Sequence, residues 1–262
     1  MSSSPSSSPQ SSLTPSIPLQ YRVLGVPIHV LRDYSAWLTD RIIHQQGTHV
    51  ITLNAEMVMQ ARTNSILSDS LHQAELIVPD GSGVVLYLRS RGQTVQRCPG
   101  IELAEKMIHS AAQHGWRIFL LGGAPGITTQ IINQWEETLP QLVLAGAHHG
   151  YFDDIAEAEI SKHLASMQPE LILVGLGVPR QEAWIQSHRH LCPNAVWIGV
   201  GGSLDIWSGH KERAPSWLRD NHLEWIYRLY KEPWRWRRML ALPQFVWAAF
   251  WENFFPIKPL AK

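Results

Sequence analysis

Two groups of residues have types and spacing that suit chemistry: an isolated carboxylate, and a cluster of cations among aromatic residues. The carboxylate is Asp80, in the stretch Pro79–Gly83 (PDGSG) directly after the apolar run Leu76–Val78. A carboxylate held by a tight turn at the end of a strand suits a general base. The same stretch also fits an Asx turn that only closes the loop, and the residues alone leave both interpretations open.

The second group lies near the end of the chain. Seven of the twelve tryptophans fall between Trp207 and Trp251. Tryptophan prefers the membrane–water boundary, and arginine binds phosphates at two points. The segment therefore indicates work on a phosphate-bearing substrate at a bilayer surface, although aromatic residues that only pack a helical layer would give the same pattern. The arginines among them are Arg213, Arg219, Arg228, Arg235, Arg237 and Arg238.

Charge and cysteine content narrow the class of protein. The net charge is zero, but residues 208–262 carry ten Lys or Arg and five Asp or Glu, and the remainder carries the opposite excess. This split argues against a nucleic-acid partner and for one localised anionic partner. Two cysteines fit a reducing cytosol, and no secretion signal is visible. No apolar run reaches about 18 residues, so we expect a cytoplasmic protein that can lie on a membrane but does not span it.

The elements that must position these groups follow from apolar runs that end in glycine or polar turns. Strands without polar alternation are typical of a parallel sheet that is buried on both faces. We therefore predict an α/β fold, a Rossmann-like sandwich with a mostly parallel sheet. The predicted elements include a strand pair from Tyr21, helices at Tyr34–Gln45, Ala55–Ser65, Ile101–Gln113 and Ile127–Glu137, and strands at His49–Asn54 and within Ala74–Gly83, Trp116–Gly126, Leu171–Trp184 and Ala195–Asp205.

Composition divides the chain into three parts. Residues 1–18 are mostly Ser and Pro, and we expect them to be disordered. Residues 19–207 form the predicted α/β core. Residues 208–262 form a helical, Arg/Trp-rich segment, called the appendage here, which we expect to associate with a membrane.

Within the appendage, Trp217–Tyr230 is predicted to be one helix. Glu224, Arg228 and Lys231 then lie along one stripe of it. Pro233 fits the first turn of a second helix better than the middle of one.

Ligands of parallel α/β sheets bind beyond the carboxyl ends of the strands, so polar residues and glycines there are the candidates. In the loop Gly122–Gly126 (GGAPG), backbone N–H groups can approach a phosphate. The loop does not match GxGxxG, and no acid is placed for a ribose, so a nicotinamide site is disfavoured. The histidines lack zinc-type spacing and no Asp-x-Asp occurs, so we expect neither metal nor cofactor. If the chain binds a diphosphate, arginine would then neutralise its charge in place of a metal ion.

Eight stretches, in this order, resemble the WecG/TagA/CpsF family of glycosyltransferases. The resemblance covers roughly Tyr21 to Arg238. The stretches are Thr52–Glu56, Pro79–Gly83, Arg97 with Gly100, Gly122–Gly126, His149–Phe152, Gly175–Trp184, Gly199–Asp205, and the appendage residues Arg213–Trp217, Leu223–Leu229, Glu232–Arg235 and Arg238.

The resemblance implies an inverting, metal-independent transfer of N-acetylmannosamine, or a related sugar, from a UDP donor. The implied acceptor is a polyprenyl-diphosphate-linked amino sugar used in cell-surface polysaccharide synthesis. The resemblance thus implies a protein that is peripheral on the inner face of the cell membrane. Asp80 matches the family's general base, and the other implied catalytic residues are Thr52, Asn54, Arg97 and Gln181. The residues implied to bind substrate are Gly122, Gly123, Gly126, Tyr151 and Gly177, with Arg228, Arg235 and Arg238 on the diphosphate.

Two positions depart from the family pattern. Glu102 stands where the family usually has Asp, and Leu204 stands where it usually has Phe. Both departures bear on the sugars rather than on the type of reaction. The remaining alternatives are the same transferase with another UDP-hexose donor, and a UDP-sugar sensor that binds without turnover.

Overall fold

The computed structural model describes residues 17–221 and 223–254, without the side chains of Asp220, Arg235, Asn253 and Phe254. The disorder predicted for residues 1–18 therefore falls, except at Ile17 and Pro18, outside the described residues.

Six parallel strands form the central sheet, in the order β4-β3-β8-β7-β5-β6, and a separate antiparallel pair precedes them. The predicted α/β fold with a parallel sheet and the predicted N-terminal strand pair are confirmed. The strands are β1 (Leu19–Val23), β2 (Val26–Val30), β3 (Thr48–Leu53), β4 (Leu76–Pro79), β5 (Arg117–Gly122), β6 (Val143–His148), β7 (Leu171–Gly175) and β8 (Val196–Gly199).

Helices flank the sheet and continue into the appendage. Short 3-10 turns occupy Arg189–Leu191 and Pro233–Arg235. The α-helices are α1 (Tyr34–Ile43), α2 (Ala55–Ala61), α3 (Ser65–Gln73), α4 (Ser82–Ser90), α5 (Gly100–His114), α6 (Ile127–Thr138), α7 (Asp154–Met167), α8 (Arg180–His188), α9 (Ser203–Trp207), α10 (Ser216–Asp220), α11 (Glu224–Lys231), α12 (Trp236–Met239) and α13 (Ala241–Phe254).

The core lies on both faces of the sheet because alternate strand residues point to opposite sides. In β5, Ile118 and Leu120 pack with α1, α5 and α6, whereas Phe119 and Leu121 pack with α7 and α8. Helices α2, α3 and α4 cover the β3–β4 end of the second face. Apolar runs in the sequence are thus explained by double-sided burial.

The hairpin of β1 and β2 covers the edge of the sheet at β4. The backbone N–H of Ile77 in β4 donates to His29 Nδ1 at 3.0 Å. Val26 and Ile28 pack in the same cluster as Ile77. An edge strand that would otherwise present free hydrogen-bonding groups is therefore protected, and β4 is held in place directly before Asp80.

Two predicted helices are broken in the structure. The helix expected over Ala55–Ser65 ends at Ala61, because the Asn64 side chain accepts a hydrogen bond from the Leu67 N–H and starts α3. The single helix expected over Trp217–Tyr230 is also wrong. It ends at Asp220, where the Asn221 side chain donates to the Trp217 carbonyl at 2.7 Å. Asparagine competes with the helix backbone in this way.

The last helix, α13, is anchored to the core by one face. Phe245 is 3% exposed and meets the ring of Tyr87 edge-on, at 6.1 Å between centroids. Glu252 accepts a hydrogen bond from the Tyr87 hydroxyl and pairs with Arg91 at 3.1 Å. Trp247 on the same helix remains 63% exposed. Across residues 17–221 and 223–254, no helix is long and apolar enough to cross a bilayer.

Replacement of Phe245 by alanine should release α13 from the core. Loss of a buried phenylalanine costs about 3–5 kcal/mol, so the docked state of the helix should become a minor one. Chymotrypsin should then cleave the aromatic residues of α13 faster than in the wild type. Trp247→Ala, at an exposed position of the same helix, is the matched control and should leave the rest of the digestion pattern unchanged. Equal cleavage of Phe245→Ala and wild type would show that Phe245 does not anchor α13.

Candidate active site

The end of β4 presents Asp80 to the first turn of α5. The Asp80 N–H donates to the Leu53 carbonyl at 3.1 Å, which ties the turn to β3. Its carboxylate oxygen Oδ1 accepts a hydrogen bond from the Gly100 N–H at 3.2 Å. This bond joins residues twenty positions apart and is not the local bond of an Asx turn. The Asp80 side chain is 26% exposed, so it can be reached by a ligand.

Thr52 and Asn54 stand beside Asp80 because two glycines allow close packing. A Cβ atom on Gly100 would lie 2.7 Å from Thr52 Cγ2, and a Cβ atom on Gly81 would lie 2.7 Å from Asn54 Cβ. The Asn54 side-chain oxygen accepts from the Met57 N–H at 3.0 Å and caps α2. The structure therefore brings together three of the five predicted catalytic residues at the ends of β3 and β4.

Arg97 joins this group and connects it to the appendage. Its Nε donates to the Asp80 carbonyl at 2.5 Å, and its Nη2 lies 3.8 Å from Asp80 Oδ1. The same Nη2 donates to Glu224 Oε2 at 2.7 Å. The other Glu224 oxygen accepts from Arg228 Nη2. Arg97 and Arg228, predicted from opposite ends of the sequence, are thus joined by one carboxylate.

Opposing effects act on the pKa of Asp80. Burial raises the pKa of the carboxyl group, and the positive charges of Arg97 and Arg228 lower it; the negative charge of Glu224 raises it again. The net effect is a pKa above the ordinary value of 3.8. Burial also raises the pKa of Glu224, but Arg228 and Arg97 outweigh it, so this pKa is lowered. Asp80 is therefore a stronger base than a solvent-exposed aspartate.

Arg238, in α12, contacts the first turn of α2 next to this group. Its Nε donates to Glu56 Oε1 at 2.5 Å. Glu56 follows the α2 cap Asn54 by two residues, so Arg238 approaches the site from the side of β3. The backbone of Arg235 belongs to the short turn before α12, and its side chain lies outside the described residues.

Gln181 has a different position from the other predicted catalytic residues. Its amide nitrogen donates to Glu182 Oε1 at 2.8 Å, and its oxygen accepts from the Gly201 N–H at 3.1 Å. Glu182 in turn pairs with His49 at 2.7 Å, and both of these side chains are fully buried. A Cβ atom on Gly199 would lie 2.5 Å from Gln181 Nε2. Gln181 is therefore buried and holds the turn after β8 by its bond to Gly201.

The predicted glycines lie at the ends of β5 and β7. The chain leaves β5 toward β6 on one side and leaves β7 toward β8 on the other, so a topological switch point, the usual ligand crevice, lies between them. Gly122, at φ 137°, packs so closely that a Cβ atom would lie 2.4 Å from the Gly175 carbonyl oxygen. Gly126 and Gly177 also have positive φ, and a Cβ atom on either would have no neighbouring atom within 4 Å. Tyr151 is 72% exposed.

Further contacts there involve the loops after β5 and β6. The Gly150 N–H donates to the Gly123 carbonyl at 2.8 Å, which brings Tyr151 next to the glycine loop. Arg180 donates to the Gly150 carbonyl at 2.9 Å and lies over the Phe152 ring. The candidate residues thus form two groups on one edge of the sheet, at β3–β4 and at β5–β7. Four strand intervals of ~4.8 Å separate β4 from β5, or about 19 Å.

Sequence reasoning placed Glu224 on one helical stripe with Arg228, and the two residues form an ion pair with the i, i+4 spacing of a helix. It missed that Glu224 also binds Arg97 and that Glu102 binds two appendage arginines. Glu102 pairs with Arg213 at 2.5 Å and with Arg219 at 3.5 Å. The Glu102 pairs join residues more than a hundred positions apart, and no local pattern reports them.

Comparison with known proteins identifies the family. The profile of the glycosyl transferase WecG/TagA/CpsF family matches residues 21–259. The chain belongs to this glycosyltransferase family. The family resemblance inferred from the eight stretches is confirmed, and so is the prediction of a glycosyltransferase.

Three curated relatives share the name "N-acetylglucosaminyldiphosphoundecaprenol N-acetyl-beta-D-mannosaminyltransferase". A relative from Bacillus spizizenii is 35% identical over 242 residues, which cover 89% of this chain and 93% of the relative. One from Bacillus subtilis is 36% identical over 217 residues, 82% of this chain and 84% of the relative. One from Staphylococcus aureus is 34% identical over 199 residues, with 76% and 78% covered.

The raised pKa of Asp80 predicts a pH-dependent cost to stability. A carboxyl group with a raised folded-state pKa binds its proton more tightly in the folded protein, so stability is lost as pH rises from the unfolded-state value of about 3.8 through the folded-state pKa. Asp80→Asn carries no charge and keeps an acceptor for the Gly100 N–H. Its free energy of unfolding at pH 7, measured in urea, should equal or exceed that of the wild type. This advantage should shrink at acid pH. A variant clearly less stable than wild type at pH 7 would contradict the prediction.

Proposed function

We propose that this glycosyltransferase moves N-acetylmannosamine, or a related sugar, from a UDP donor to a polyprenyl-diphosphate-linked N-acetylglucosamine, with inversion. The observation that carries the proposal is the arrangement of Asp80 beside Arg97 and Arg228. A carboxylate and two guanidinium groups lie together beyond the end of β4, which supports a base beside a cationic pair. The names of the curated relatives support the choice of sugar and acceptor.

In the proposed reaction, Asp80 takes the proton of the acceptor hydroxyl. The acceptor oxygen then bonds to C1 of the donor sugar, and the C1–O bond to the β-phosphate breaks with its electron pair leaving on UDP. A single displacement of this kind inverts C1. Positioned general bases contribute about 10²–10⁴-fold to rate. The raised pKa of Asp80 supports this role, because it brings the base closer to neutral pH.

We propose that arginine neutralises the charge that develops on the departing diphosphate. Arg97 and Arg228 stand beside the base. Arg238 binds Glu56, which is two residues after Asn54. Cationic groups fixed in place before the reaction stabilise such charge without reorganisation. Within the described residues, no group of three or more His, Cys, Asp or Glu is placed to hold a metal ion. Arg235 is proposed for the same role from the sequence alone.

The nucleotide of the donor is proposed to lie toward the ends of β5 and β7. The uridine is proposed to lie against the loop Gly122–Gly126, and the exposed ring of Tyr151 offers a surface for the base. From there, the donor would extend along the carboxyl ends of the strands and bring its sugar to Asp80. Gln181, which supports the Gly199–Gly201 turn midway along this edge, is proposed to shape the floor between the two groups.

The acceptor is proposed to arrive from the membrane, with the protein peripheral on the inner face. Exposed aromatic side chains of the appendage support this, because tryptophan partitions to the bilayer interface. They include Trp217, Trp225, Tyr230, Trp234, Trp236, Trp247, Phe250 and Trp251.

Asp80→Asn should abolish transfer without loss of donor binding. We expect turnover with UDP-N-acetylmannosamine and a short-chain polyprenyl-diphosphate N-acetylglucosamine to fall by about 10²–10⁴-fold, because the amide cannot accept the proton. The rate of the wild type should fall on the acid side as Asp80 becomes protonated, at a pH above 3.8. The matched control is Asp69→Asn, an exposed aspartate on α3.

The same assay tests the alternatives. Near-normal turnover by Asp80→Asn would remove Asp80 as the base. Transfer only from another UDP-hexose in a donor panel would change the proposed sugar. UDP-sugar binding without turnover by the wild type would favour a sensor.

Replacement of exposed appendage tryptophans should weaken membrane binding. Trp234→Ser together with Trp247→Ser removes two side chains that are 72% and 63% exposed. We expect binding to anionic phospholipid vesicles, measured by cosedimentation, to fall about a hundredfold or more, because two buried aromatic side chains together contribute roughly 3–6 kcal/mol. The control is Ile155→Ser, an exposed apolar residue on α7 of the core. Equal loss in both proteins would point away from the appendage.

A further inference from the structure

Glu224 is the only acid in the first turn of α11, and its side chain points into the core. The residue is 8% exposed, and its two carboxylate oxygens bind different arginines. Oε2 accepts from Arg97 Nη2 at 2.7 Å, and Oε1 accepts from Arg228 Nη2. Arg97 belongs to the core segment before α5, and Arg228 lies one turn further along α11. One carboxylate therefore joins a core cation to an appendage cation.

Without this carboxylate, the two guanidinium groups would repel each other. Two like charges that bind the oxygens of one carboxylate lie close enough to repel, most strongly where water is partly excluded. The Arg97 side chain is 17% exposed and Arg228 is 50% exposed, so solvent screens the first poorly. Asp80 lies 3.8 Å from Arg97 on the other side. The cluster of Asp80, Arg97, Glu224 and Arg228 is electrically neutral, and it needs both acids to be so.

The bonds to Glu224 still leave donors for a ligand. Arg97 uses Nε on the Asp80 carbonyl and Nη2 on Glu224. Arg228 uses Nη2 on Glu224. A guanidinium group has five N–H donors in a fixed plane, so fixing one edge orients the rest. Glu224 thereby fixes the orientation of the N–H groups that would meet a diphosphate.

We propose that Glu224 is a positioning residue, which holds Arg97 and Arg228 together as one diphosphate-binding unit and docks α11 on the core. The proposal rests on the proposed transferase function for its kinetic part. Glu224 itself touches the two arginines and is not assigned a contact with substrate. Docking of the appendage and assembly of the diphosphate site are then a single event.

The kinetic test separates positioning from simple attachment of a helix. Arginine contacts to the departing diphosphate strengthen as the bond breaks, so misplaced arginines lower kcat more than they raise KM for the donor. Glu224→Gln should lower kcat on the order of 10²-fold, the effect of a misplacement of about 1 Å. Glu224→Asp keeps the charge and should recover part of the loss. An unchanged kcat with a raised KM would overturn the positioning role.

A double-mutant cycle shows whether Glu224 acts through Arg228. Arg228→Gln removes one of the two partners, so adding Glu224→Gln to it should lower kcat much less than Glu224→Gln does alone. Fully additive effects would mean that Glu224 does not act through Arg228 and would contradict the joining of the two arginines as one unit. The control for all variants is Glu212→Gln, an exposed appendage carboxylate that pairs with Lys231 at 3.4 Å. It should behave as wild type.

Hydrogen exchange tests docking without any substrate. Backbone amides of α11 in Glu224→Gln should exchange about tenfold faster than in the wild type or Glu212→Gln, which corresponds to ~1.4 kcal/mol of local opening free energy. Amides of β5 and β7 should not change. A wild type that fails to transfer sugar would count against the proposed function, and the exchange data would still decide docking. Unchanged α11 exchange in Glu224→Gln would overturn the proposal whatever the activity.

Discussion

A carboxylate that is partly withdrawn from water and lies beside guanidinium groups is the constraint on which the site depends. Asp80 is placed at the end of β4, where burial disfavours its charge. Arg97 offsets this from one side, but the positive charge it brings must itself be balanced. Glu224 supplies that balance and also binds Arg228. Each charge in the cluster thus requires the next, and the sequence positions involved run from 80 to 228.

The sheet imposes a second constraint, the close approach of backbones at its carboxyl edge. Gly81 and Gly100 let Asn54 and Thr52 lie against the Asp80 turn, and Gly122 lets β5 lie against the end of β7. Side chains at these glycines would push the strand ends apart. The floor of the site is therefore backbone, and its functional groups stand at the margins, where they can be varied without disturbing the sheet.

Much of the fold follows from the sequence, for identifiable reasons. Strands buried on both faces are continuous apolar runs, so β3, β5, β7 and β8 are visible in the residues. Strand β6 is less visible because it is an edge strand with intermediate burial and a glycine within it. Helix α7 buries only Ile160 and Leu164, which leaves little periodicity to detect. Helix α4 begins directly after Gly81, and its glycines suggested only a turn.

The candidate site divides in the same way. Asp80, Thr52 and Asn54 could be grouped in advance, because β3 and β4 are consecutive strands whose ends must meet. The ion pair between Arg97 and Glu224 could not, because these residues are 127 positions apart and their contact depends on how α11 packs. Family resemblance supplied the arginines but not their partners. Gln181 was grouped with the catalytic residues; it lies apart from Asp80, with bonds to Glu182 and Gly201, and its catalytic role stays a prediction.

Helix α13 has apolar residues on more than one side. Phe245 faces the core, while Val246 and Trp247 remain exposed. In water, docking of the inner face of this helix on the core leaves the apolar residues of its outer face exposed to solvent. The purified protein should therefore self-associate reversibly through α13 as its concentration rises, and mild detergent should keep it monodisperse. The helix that attaches the appendage to the core thus also determines the solvent in which the protein is monodisperse.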